Sequence, residues 1–147
     1  MTSFRFSLQK VLDWRRTQLD LAEARYKQQA AALAELDRVR GEIEAAGVQA
    51  EAEVRSGGQV QGRDLAALGS YRLHVKMQEA QIQAKRQECE RILAQRQNAM
   101  LEARRHCRLL ERLKEQRLAE WKEACDHEME ELASESFLAQ WKRVGPS

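Results

Sequence analysis

A chain of 147 residues has room for one domain, but with 33% charged and 5% aromatic residues, and Ala, Glu, Gln, Leu and Arg dominant, it reads as long helices rather than a compact globule. A net charge of +2 with 43% apolar content argues against a disordered chain. No run of about 18 apolar residues occurs, which excludes a transmembrane helix.

The chain opens "MTSFRFSLQKVLDWRR", which lacks the continuous apolar core of a signal peptide, and this predicts a cytoplasmic protein. From Phe4 a seven-residue repeat begins. One seam is Leu12, Leu19, Tyr26, Leu33, Arg40, Gly47 and Val54; its companion is Leu8, Arg15, Ala22, Gln29, Leu36, Ile43 and Ala50. Most of these positions are apolar, the pattern of a coiled-coil helix over residues of about 4–55. Arg40 and Gly47 predict looser packing toward its end. A break follows at about 56–63, within "RSGGQVQGRD", where Gly57 and Gly58 can supply the positive φ that ends a helix. Asp64 is placed as the N-cap of the second helix.

The second segment, about 64–142, repeats the pattern less cleanly. Leu68, Val75, Ile82, Cys89, Arg96, Ala103 and Leu110 form one seam, and Tyr71, Gln78, Lys85, Ile92, Ala99, His106 and Leu113 the other. Beyond Leu113 the frame slips by one residue, through Leu118, Trp121, Cys125 and Leu132, which changes the supercoil or ends regular pairing. A loose tail is expected over 143–147. The only proline is Pro146, so nothing interrupts either helix. Cys89, Cys107 and Cys125 repeat every five turns, roughly 27 Å apart, too far for a disulfide or a shared metal. They read as small, semi-apolar residues of one helix face.

A short hinge between two long stripes makes an antiparallel two-helix coiled-coil hairpin the economical fold: one all-α domain over 1–147, with the second helix longer than the first. Swapped dimers and multi-chain bundles satisfy the same heptads. With the turn centred near residue 59, facing residue numbers sum to about 118, which sets Leu8 against Leu110 and Phe4 near Lys114. The second helix then outruns the first by roughly 25–30 residues, or ~40 Å. A lone helix cannot bury an apolar face, so Trp121, Met129, Leu132, Phe137, Leu138 and Trp141 call for a partner, a fold-back or fraying.

Charge is uneven along this end. Residues 104–117 hold six basic and two acidic side chains, and Arg5, Lys10, Arg15 and Arg16 stand against Asp13 in the first helix. Together they make a basic collar, followed from Glu123 to Glu135 by six acids and no Lys or Arg. Such a collar is either a solvated coiled-coil face or a docking end complementary to a partner.

The sequence carries no phosphate loop, no Gly-x-Ser-x-Gly, no His-Glu-x-x-His and no grouped metal ligands, and a two-helix rod has no enclosed pocket for tuning a pKa. No catalytic, cofactor or metal residue is assigned, and the expectation is a non-enzyme. The leucines interleaved with "RRHCRLLERLK", in a nearly neutral chain, do not make a basic-region zipper, so nucleic acid is not an expected partner. Anionic lipid would repel the acidic arm.

The two ends of the chain carry a resemblance. "FRFSLQKVLDWRRTQLDLAEARY" has the pattern aromatic-x-aromatic-x-Leu-x-x-Val-Leu-x-x-Arg at Phe4, Phe6, Leu8, Val11, Leu12 and Arg15. "LLERLKEQRLAEWKEACDHEMEELASESF" has a Leu-Glu-x-Leu-Lys core at Leu110–Lys114, an aromatic at Trp121 and Asp/Glu-x-x-Ala at Glu130–Ala133. Together they resemble the flagellar export protein family FliJ, across essentially the whole chain. The Ala- and Gln-rich middle is too generic to align.

The resemblance implies an antiparallel coiled coil similar to that of the rotary ATP synthase gamma subunit, acting as a non-enzymatic stalk of the flagellar type III export apparatus. Its implied partners are the hexameric export ATPase (FliI-like), whose assembly and activity it promotes, the cytoplasmic part of the export gate protein (FlhA-like), and export chaperones. The implied location is the cytoplasmic face of the flagellar basal body at the inner membrane, with membrane association only peripheral. The YscO-type stalk of virulence injectisomes is the nearest alternative, and a self-associating structural coiled coil the alternative of another class. The candidate partner-binding residues, chosen because they form the splayed end of the hairpin, are Phe4, Phe6, Leu8, Arg15, Arg16, Leu109, Arg112, Leu113, Arg117, Leu118 and Trp121. Leu8, Leu110 and Leu113 serve equally well as intramolecular core.

Overall fold

The computed structural model describes residues 3–58 and 61–144. Two long helices, α1 (Gln9–Ser56) and the longer α2 (Gly62–Arg143), pack against each other, and the described residues hold no strand. This is the all-α architecture expected from the repeats. The middle of the predicted hinge, Gln59 and Val60, and the tail from Gly145 lie outside the described residues.

The helix boundaries differ from expectation at both starts. α1 begins at Gln9 rather than near Phe4, because residues 3–6 have no regular structure and Ser7 and Leu8 form a turn, closed by a Gln9 N–H donating to the Phe6 carbonyl at 3.1 Å. α2 begins at Gly62, so Asp64 is not its N-cap. Gln61 takes that place, its carbonyl accepting from the Asp64 and Leu65 N–H groups at 3.1 and 3.3 Å. Asp64 reaches back to accept from the Gln61 N–H at 3.4 Å, the carboxylate half of a capping box. α1 ends as expected on glycine: Gly58 has φ of 75°.

Packing divides the chain into two compact units, Asp20–Leu101 and Met1–Leu19 with Glu102–Ser147. The first contains the turn. Here the α1 seam is at least partly buried at each expected position except Arg40, which is exposed and bonds Glu44 one turn on. Gln29, polar at a seam position, donates to the Cys89 carbonyl at 3.2 Å and its sulfur at 3.0 Å, in the expected register. Cys89 and Ile82 are buried. Arg86 joins Asp37 across the helices at 2.8 Å, Arg72 joins Glu51 at 2.9 Å, and Arg96 caps the Arg25 carbonyl at 3.0 Å. Near the turn the packing loosens, as Gly47 implied: a groove of about 410 Å³ runs between Ala50, Val54, Leu68 and Tyr71.

The second seam of α2 departs from prediction at two positions. Lys85 and Ala99 are exposed, whereas Arg86, Leu93, Met100 and Cys107 are drawn inward. Ile92, His106 and Leu113 keep their expected half-buried places, so the stripe widens to the following residue rather than leaving the predicted seam. The physical reason is chemical fit. Arg86 at the edge of the seam can lay its stem on apolar surface while holding Asp37 and Glu90. Leu93 and Met100 bring longer apolar side chains to the seam than Ala99 offers. Cys107 is 2% exposed.

Candidate functional site

The unit formed by residues 1–19 and 102–147 carries the residues singled out by the sequence. Its buried side chains are Leu12, with no exposed surface, Phe6 and Cys107. Leu8, Leu110 and Leu113 are half-buried, which favours their reading as intramolecular core.

The entry segment alters the predicted register. Phe4 does not reach Lys114; its ring lies 6.0 Å from the Trp121 ring at an interplanar angle of 54°. The entry over residues 3–8 is not helical and so advances farther per residue than helix does, which carries Phe4 past Lys114 along α2. The tilted geometry is the one aromatic quadrupoles favour. Leu118 and Trp121 are thus half-buried and do not begin an uncovered arm. The half-buried stripe of α2 runs on to Cys125 and stops, so the exposed arm begins at Asp126.

The basic collar separates into two kinds of residue. Arg15 is half-buried, its Nη1 2.9 Å from His106 Nδ1, with its guanidinium carbon 4.8 Å from the centre of the Trp14 ring. Arg16 lies 3.6 Å from Glu111 and 3.9 Å from Asp13. These two are engaged by their own chain. Arg112 and Arg117 are exposed, as is Leu109 at 59%. The expected site therefore splits: Phe4, Phe6, Leu8, Leu113, Leu118 and Trp121 form or edge a small core, and Leu109, Arg112 and Arg117 face outward.

Two exposed apolar groups were missed or underweighted in the sequence. Val11 and Trp14 are 42% and 53% exposed on α1; a heptad assignment leaves them off the seam, and an off-seam tryptophan was the available signal. Beyond Cys125, Met129, Leu132, Phe137, Leu138 and Trp141 are all more than half exposed, as predicted. At 100° per residue, Met129 and Leu132 continue the line of Leu118, Trp121 and Cys125, whereas Phe137, Leu138 and Trp141 lie on another side of the helix. One neighbouring helix cannot cover both sets.

Among the described residues no group of His, Cys, Asp and Glu is placed to hold a metal ion, and no helix is long and apolar enough to cross a membrane. All three cysteines are free. No family model, curated protein or solved structure matches the chain.

Proposed function

We propose that this chain is a non-enzymatic stalk and adaptor of a bacterial flagellar type III export apparatus. In this reading it binds the hexameric export ATPase, promotes its assembly and activity, and links it to the export gate and to export chaperones from the cytoplasmic side of the membrane. One observation carries the reading. The aromatic-x-aromatic motif on which the resemblance rests packs Phe4 against Trp121, the aromatic of the C-terminal motif, and immediately beyond this closure α2 extends with bulky apolar side chains on two sides. Exposed apolar surface on an unpaired helix is stabilised by a partner that surrounds it.

The mechanism is thermodynamic. A stalk that binds the assembled ring better than free subunits shifts the assembly equilibrium toward the ring, and ring activity rises with it. Arg112 and Arg117 would set orientation and on-rate at the collar. The YscO-type stalk of an injectisome is the same device in another apparatus.

The test is ATPase stimulation with the purified ring enzyme. Wild-type chain raises the activity, and Arg112→Glu with Arg117→Glu lowers its apparent affinity about tenfold with helicity intact. Unchanged stimulation by that variant removes the collar from the mechanism; absence of stimulation by the wild type removes the reading.

A further inference from the structure

The outward face of α2 at this end carries a charge order of which the export reading uses only Arg112. Arg105, Arg108 and Arg112 are followed, each eighteen residues on, by Glu123, Asp126 and Glu130. Eighteen residues are five helical turns, so all six fall within an arc of about 60°, roughly 150° from the line of Cys107, Leu110, Leu118 and Trp121 that faces the entry segment and α1. All six are exposed. Each arginine stands about 27 Å from its matching acid along the axis, far beyond ion-pair reach. Among the described residues none of the six has an ion pair or side-chain hydrogen bond within the chain, although Arg38, Arg72, Arg86 and Arg91 each hold acids of their own.

Segregation of this kind is unfavourable in a lone helix. Like charges three and four residues apart repel, whereas alternating Glu and Arg would attract. The segregation becomes favourable when the same face meets itself in reverse. We infer that two copies of this chain associate through this face of α2, antiparallel about a two-fold axis crossing the helix between Arg117 and Leu118. That axis sets Arg105 opposite Glu130, Arg108 beside Asp126, and Arg112 opposite Glu123, and the symmetry repeats each pair. A parallel arrangement sets arginine against arginine, so the pattern fixes direction as well as partner. Small Ala119 lies near the axis, where the helices approach closest, with Leu109 at the edge. The face has little apolar surface, so the dimer is reversible and salt-sensitive rather than obligate.

The inference shares only Arg112 with the export reading and is tested on the isolated chain, without the ATPase, by sedimentation equilibrium. At about 25 mM salt, where screening acts over roughly 20 Å, the chain dimerises; at about 0.5 M, where it acts over roughly 4 Å, the dissociation constant rises at least about tenfold. Triple reversal to R105E/R108E/R112E, or to E123R/D126R/E130R, abolishes self-association at low salt by setting like charges together. An equimolar mixture of the two reversed chains forms a one-to-one heterodimer, and a chain carrying both reversals dimerises with itself again. Circular dichroism confirms that each variant stays helical, and the chain with both reversals, which keeps the native composition of this face, remains decisive should a triple variant lose structure. A monomeric wild type at low salt and high concentration overturns the inference, as does self-association that survives either triple reversal or reversed chains that do not pair.

Discussion

Leu12→Ala is the most informative single substitution, because among the described residues Leu12 is the one large side chain with no exposed surface. The change removes three carbons, and at ~0.8 kcal/mol for each the transfer term is about 2.4 kcal/mol. A cavity term is added, but with only two helical layers around it the site can partly close, so the total expected is about 3 kcal/mol, in the lower half of the range for buried leucine. Trp14, Trp121 and Trp141 all belong to the unit that contains Leu12. Tryptophan fluorescence therefore follows that unit in a urea titration, while circular dichroism follows both helices. High salt suppresses association during the measurement. Leu12→Ala should move the fluorescence transition by that amount, and Val11→Ala, at a position already 42% exposed, should move it by less than about 1 kcal/mol. Equal shifts for the two variants, or a Leu12→Ala effect below about 1 kcal/mol, would refute the assignment of this core.

Other perturbations separate the remaining contacts. Phe4→Ala removes the ring beside Trp121 and should red-shift tryptophan emission with a loss of about 1–2 kcal/mol; an unchanged spectrum removes the entry segment from the core. Gly58→Ala meets no atom within 4 Å but must hold φ near 75°, so a destabilisation of about 1 kcal/mol by urea titration is expected, and a neutral result contradicts the turn geometry. Gln29→Leu removes a polar group from the seam whose acceptor, the Cys89 carbonyl, lies within a helix, so the midpoint should stay or rise by about 1 kcal/mol; a fall shows that the side-chain bonds matter more. Hydrogen bonds from Arg38 and Arg91 hold the Glu35 and Glu88 carboxyls below their ordinary range. Their small contribution is therefore present at neutral pH and is lost as pH falls through that lowered range, and Glu88→Gln should differ from wild type near neutrality but not in strong acid.

The helical architecture was legible because it rests on period and punctuation. Leu12, Leu19 and Leu33 mark the α1 seam, Gly58 ends the helix, and no internal proline competes. Less legible were features decided by tertiary fit. The entry segment reads as helix by pattern, yet it is not helical, and Phe6 is buried and Phe4 meets Trp121. Asp64 reads as an N-cap, but the same carboxylate serves the same helix start from three residues inside it. On α2 the choice between Lys85 and Arg86, or Ala99 and Met100, cannot come from hydropathy alone, because long charged stems and small apolar side chains rank alike for half-buried sites. At the candidate site, the exposed leucine and arginines were legible from charge patterning, whereas the cover over Trp121 depended on the non-helical entry and was not.

The central claim is that this chain acts on a ring ATPase. Titration of the chain into the export ATPase, with activity and sedimentation read on the same samples, tests it most directly. Saturable stimulation at one chain per ring is expected, together with a shift of ATPase subunits into the hexamer. Activity and assembly that stay constant across the titration, with no chain sedimenting with the ring, would contradict it.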